Sequence, residues 1–112
     1  MKKYLILGSS ASIFLFAAAA GYSADAPAAW GQDCASCHGA DGAGHTKAGK
    51  MVHAKDLTDA AGQKSFTDDQ AFTAVKAGFK DSSGAVKMQP LADKLSDDEI
   101  KTLVTYVRTL AK

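Results

Sequence analysis

Cys34-Ala35-Ser36-Cys37-His38-Gly39 is the stretch on which the reading of this chain turns. Two thiols three residues apart, followed at once by an imidazole, have the C-x-x-C-H spacing of covalent haem attachment. On a helical backbone the two cysteines share a face, where both sulfurs can meet the two vinyl groups of one porphyrin. His38 leaves that face at the helix end, where its ring can turn beneath the macrocycle and bind iron as the proximal ligand. Gly39 then tolerates the left-handed turn that stops a helix.

Three other chemistries use the same residue types, and each lacks a part. A thioredoxin-type redox pair opens a helix behind a strand, yet no β-branched run precedes Cys34. A structural zinc site needs four ligands, and His45 and His53 are available but off the usual spacing. A disulfide across three residues would be strained. The expected cofactor is one haem c with its iron, joined through thioether bonds to Cys34 and Cys37.

A chain of 112 residues holds one domain, and its beginning reads as something else. Lys2 and Lys3 precede a mostly apolar run from Leu5 to Ala20, and small residues follow. That is the layout of a cleaved secretory signal peptide over residues 1–23. Ala18 with Ala20, and Gly21 with Ser23, satisfy the small-x-small rule, so cleavage is expected between positions 20 and 24. The alternative is an uncleaved membrane anchor, against which the dilution by Gly8, Ser9, Ser10 and Ser12 counts. Residues 24–112 are then the exported, periplasmic domain. An oxidising compartment normally pairs cysteines with each other, but here the haem takes both.

Without residues 1–23, eleven basic side chains face twelve acidic ones, a net charge of about −1. That balance argues against a nucleic-acid partner. Lys47, Lys50, Lys80 and Lys87 fall in expected loops and read as solvated surface more readily than as a patch.

Beyond Ala24 the pattern gives three helices and two glycine-marked loops. The first helix is expected from about Pro27 to Cys37, with proline in the first turn and Trp30 on the face of Cys34. Glycines at 39, 42, 44, 49 and 62 predict a long loop from Gly39 to Gln63, with at most a turn at Asp56-Leu57-Thr58. A loop of that length in a small domain is expected to enclose a ligand. Thr67 and Gln70 form a capping box for a second helix ending at Gly78. The second loop runs from Phe79 to Leu95. Ser96 and Glu99 cap the third helix, Leu95 and Ile100 fit a hydrophobic staple, and Ile100, Leu103, Val104, Val107 and Leu110 make one apolar face. So small a core is marginal alone, and haem burial is expected to complete it.

The sixth iron ligand decides what such a site does. Met51, Met88, His45 and His53 are the candidates, since Met1 leaves with the signal. Met88 lies 50 positions after His38, in a loop stiffened by Pro90, with chain enough to reach the opposite side of a ring. Met51 is only 13 positions on, and His45 and His53 read as surface or propionate-side residues. Trp30, Phe66, Phe72, Phe79 and Tyr106 are expected to fill the core or line the haem.

From Ala26 to Ala111 the chain resembles the small monohaem class I c-type cytochromes. The resemblance rests on Cys34 to Gly39, on Trp30 one turn earlier, on Met88 in a methionine loop, and on Leu103-Val104-Thr105-Tyr106-Val107-Arg108 as the last helix. Two departures are Gln89, where many relatives have proline after the methionine, and Ala26, where glycine often permits a closer helix crossing. The resemblance implies an all-α cytochrome c fold: about three main helices and long loops wrapped around one covalent haem. It implies His38 and Met88 as iron ligands and a periplasmic one-electron carrier, not an enzyme. Such a carrier works as a monomer that docks transiently with redox proteins, a reductase on one side and an oxidase or dehydrogenase on the other. A membrane enters only through a partner complex or an uncleaved N-terminal segment. The competing readings are an open-iron haem enzyme or gas sensor, and a cytochrome subunit of a larger dehydrogenase or oxidase complex.

Overall fold

The computed structural model describes residues 25–112, so the expected signal segment lies outside the described residues. Six helical segments appear among them: α1 (Ala26–Asp33), α2 (Ala35–His38), α3 (Lys47–Val52), α4 (Ala60–Gln63), α5 (Asp68–Ala77) and α6 (Asp97–Thr109). A small antiparallel pair, β1 (Phe79–Lys80) and β2 (Val86–Met88), separates α5 from α6. The all-α expectation holds, and no described helix is long and apolar enough to cross a membrane.

Helices α5 and α6 begin where their side chains dictate. The Thr67 hydroxyl accepts from Gln70 N while Gln70 Oε1 accepts from Thr67 N, and Ser96 and Glu99 repeat the exchange. Acidic residues fill both first turns and complement the positive helix ends. Leu95 and Ile100, on either side of the α6 cap, are both buried in the main core cluster, as a staple requires.

Three local expectations need correction. The first helix does not run through to Cys37: at Cys34 the backbone leaves helical values (φ −120°, ψ −36°) and a new turn starts at Ala35. Gly31 and Asp33 are weak helix formers, and the buried Cys34 takes the conformation its packing sets. The stretch from Gly39 to Gln63 is not bare loop, because Thr46 and Asp59 cap the short helices α3 and α4. Side-chain caps carry these helices past an unfavourable glycine content. The second loop contains the β1–β2 hairpin, whose strands are too short to show an alternating pattern in sequence.

The core is one cluster of Trp30, Cys34, Leu57, Leu91, Leu95, Ile100, Leu103 and Val104, with α1 and α5 both packed on α6. Trp30 and Tyr106 meet at the α1–α6 crossing with ring centroids 5.7 Å apart. Ala26, Phe66, Phe72 and Val107 pack around the cluster partly buried.

A polar knot ties down the C-terminal end of α6 beside this crossing. Gln63 is 5% exposed, and its Nε2 donates to the carbonyls of Leu57 and Val107, both at 2.7 Å. Arg108 donates to Gln63 Oε1 (3.1 Å), Phe66 O (2.8 Å) and Asp68 Oδ1 (2.8 Å), and its guanidinium lies 4.5 Å from the Phe66 ring centroid. These bonds tie the end of α6 to the α4–α5 connection. Gln63→Leu takes the side-chain donor from Leu57 O and Val107 O, the latter keeping Leu110 N, and the Oε1 acceptor from Arg108, and is expected to lower stability by about 2–3 kcal/mol. Denaturant unfolding of the holoprotein checks this, and a loss under about 1 kcal/mol contradicts it.

Candidate haem attachment site

The attachment segment is held by its carbonyl oxygens. Ala35 O accepts from Gly39 N at 2.8 Å, and His38 O accepts from Gly44 N at 2.7 Å. The Thr46 hydroxyl donates to both Ser36 O and Cys37 O at 2.8 Å while accepting from Gly49 N at 2.9 Å. A single side chain therefore starts α3 and covers the end of α2. Gly49 makes this approach possible, since a Cβ there would collide with Cys37 O. One turn earlier, the buried Trp30 donates through Nε1 to Gly39 O at 3.0 Å and holds its ring 5.7 Å from that of His38.

His38 is half-buried, with Nδ1 3.3 Å from the carbonyl of Lys55. A carbonyl only accepts, so Nδ1 carries the proton and Nε2 keeps the lone pair that a metal needs. Burial pushes the imidazole pKa below its ordinary value, with the Lys55 bond opposing in part, which favours the neutral, ligating form. The Cys34 thiol is pushed up to about 11 by burial first and by Asp33 second. Both cysteines are free, Cys34 buried and Cys37 less so.

The four expected site residues divide by element. Cys34, Cys37 and His38 stand together at the α1–α2 break, and Met88 ends β2. Among the other ligand candidates, Met51 is 71% exposed on α3, His45 is exposed, and His53 is exposed as the left-handed cap of α3 (φ 57°). Among the described residues no three His, Cys, Asp or Glu side chains gather as a metal group, so the zinc alternative has no ligand set. Of the four lysines assigned to loops, Lys47 and Lys50 lie on α3, while Lys87 is paired with Asp81 at 3.6 Å.

The residues present fit a haem c. Two free sulfurs at the right spacing precede an imidazole with its Nε2 available. Phe79, opposite Met88 in the hairpin register, stays 55% exposed, and Val86 stays 44% exposed. That is apolar surface beside the methionine which the chain itself does not cover. Thr46, Gly49 and the Lys55 carbonyl were not legible as site residues. Thr46 lacks the acid or amide three positions on that marks a capping box, and a backbone acceptor has no sequence signature.

The profile of the cytochrome c family matches residues 23–111. This chain belongs to the cytochrome c family. It is 32% identical over 113 aligned positions to cytochrome c-553 of Nitratidesulfovibrio vulgaris (strain Miyazaki F), covering 98% of this chain and all of that one. Among solved structures it is similar to the KustC0563 c-type cytochrome, with TM-score 0.68 and 31% identity over 79% of this chain and 99% of the other. A tyrosine-to-phenylalanine mutant of that protein gives TM-score 0.65 and 30% identity, over 77% and 98%. Membership carries a covalently attached haem c with iron and supports electron transfer as the function.

Thr46→Val removes one donor shared by two carbonyls and one acceptor, and is expected to destabilise the holoprotein by about 2–3 kcal/mol. Thr46→Ser, which keeps the hydroxyl, is expected to lose less than about 1 kcal/mol. Equal losses in the two variants would contradict a hydrogen-bonding role, and thermal melts of the purified holoproteins distinguish them.

Proposed function

We propose that this chain is an exported one-electron carrier whose haem is joined through Cys34 and Cys37, with His38 and Met88 as the iron ligands. Residues 1–23 direct export in this reading, and residues 24–112 work in the periplasm as a monomer. The observation that carries it is the His38 ring, fixed through Nδ1 on Lys55 O so that Nε2 alone is left to bind metal. Met88 supports the other half. It is the half-buried candidate, held in a hairpin, whereas Met51, His45 and His53 lie exposed.

When bound, the haem supplies a ferrous–ferric couple, which a thioether ligand shifts to higher potential than a second imidazole would. The chain's own part would be to supply His38 and Met88 to the iron and to change little between redox states. The carbonyl bonds around α2 and the neutral imidazole serve that end. With Met88 on the metal no position is open to substrate, which favours carrier over enzyme or gas sensor. Transient docking with a reductase and an oxidase or dehydrogenase follows from the same chemistry, since a small interface that separates quickly suits a carrier.

Optical spectra of the purified protein in both redox states test the ligand assignment. The oxidised protein is expected to show the weak near-infrared band of sulfur-to-iron ligation and the ferrous form to resist carbon monoxide. In Met88→Ala the band is expected to vanish and carbon monoxide to bind. A wild type that already binds carbon monoxide readily would contradict the carrier reading and favour an open-iron enzyme or sensor.

A further inference from the structure

Met88 ends a strand that the core does not grip. Val86 is 44% exposed, Gln89 and Pro90 are exposed, and a hairpin with strands of two and three residues has little stability from its ladder alone. Something else must hold the methionine in one place. On one side the fixture is clear. A Cβ at Gly78 (φ +79°) would come within 2.7 Å of Met88 O, and Leu91 N donates to Val75 O at 2.9 Å just beyond.

On the other side the chain turns through Asp81 to Ala85. Gly84 N donates to Asp81 O and Asp81 N to Ala85 O, both at 3.0 Å, with Gly84 at φ +83°. Inside this turn one carboxylate oxygen, Asp81 Oδ1, accepts from Ser83 N (2.9 Å), Ser83 Oγ (2.6 Å) and Ala85 N (3.0 Å). Asp81 Oδ2 faces Lys87 Nζ at 3.6 Å. The register pairs Phe79 with Met88 and Lys80 with Val86, which leaves Lys87 as an extra residue on β2. The bulge and the carboxylate thus meet immediately before Met88.

We propose that Asp81 is a positioning residue for Met88: its carboxylate clasps the hairpin tip and fixes the bulged strand β2, keeping the thioether where the iron needs it. This rests on the reading of Met88 as the sixth ligand. The clasp is a local device, because Asp81 touches the turn and Lys87 and belongs to no part of the buried cluster. Hydrogen bonding from the Ser83 hydroxyl foremost, with the Ala85 and Ser83 amides and the charge of Lys87, holds its carboxyl below the usual carboxylate range, while desolvation opposes. Losing it frees three donors to water and lets β2 open without unfolding α1, α5 or α6.

The test uses holoprotein in wild-type, Asp81→Ala, Asp81→Asn and Ser83→Ala forms. Each is measured for the near-infrared sulfur-to-iron band and for carbon monoxide binding by the ferrous state, with far-ultraviolet circular dichroism as a check of helix content. Asp81→Ala is expected to weaken the band and raise the fraction of protein that takes up carbon monoxide about tenfold, helix content unchanged. Asp81→Asn keeps an acceptor oxygen and is expected to restore most of the band, with Ser83→Ala in between. If Asp81→Ala keeps the wild-type band and resistance to carbon monoxide, the clasp is overturned while the Met88 assignment stands. A drop in thermal stability with ligation unaltered up to global unfolding also overturns it, since that is a purely structural role. A wild type with no band sinks the Met88 assignment itself, and the clasp with it.

Discussion

The bond from His38 Nδ1 to the Lys55 carbonyl is the constraint around which the rest is arranged. In the proposed role of iron ligand the imidazole needs one nitrogen anchored so that the other is aimed, and the anchor here lies 17 residues further along. The chain must leave Cys37–His38, travel out and return to set the Lys55 carbonyl against the imidazole. That circuit explains the glycines. Gly44 turns with φ +76° against Ala54 O, and Gly49 lets α3 press on Cys37 O. Thr46 closes the circuit by bonding backward to Ser36 and Cys37 and forward to Gly49.

Held this way, the attachment segment is tied to the core by Trp30. Its ring centroid lies 5.7 Å from those of both His38 and Tyr106, and its Nε1 donates to the turn carbonyl of Gly39. The packing of α1 on α6 is thereby coupled to the orientation of His38. The Gln63–Arg108 knot holds the same C-terminal end of α6, within two residues of Tyr106. The C-terminal part of α6 is thus held both by α1 and by the α4–α5 connection, a bracing that suits a centre that should move little between redox states.

Legibility in the sequence followed the range of the interactions. Both capping boxes, the staple and the apolar face of α6 are set by residues within one or two turns, and the structure has them at the expected positions. The Cys34 break was not legible, because buried packing overrides the helical tendency of the stretch from Pro27 to Cys37. Short helices α3 and α4 were hidden by glycine content and depend on single caps at Thr46 and Asp59. Gln63 and Arg108, 45 positions apart, look like ordinary surface residues until the fold brings them together. At the candidate site the proposed donors Cys34, Cys37 and His38 are picked out by their spacing. Their supports, a threonine hydroxyl and a backbone carbonyl, carry no motif.

Every role assigned to these residues requires a porphyrin joined to the chain by carbon–sulfur bonds. Intact mass of the exported protein after acid–acetone extraction, followed by peptide mapping, measures this directly. The colour is expected to stay with the polypeptide, the mass to exceed that of the processed chain by one haem, and one peptide containing both Cys34 and Cys37 to carry it. A colourless chain at its bare polypeptide mass, with two free thiols, would contradict it.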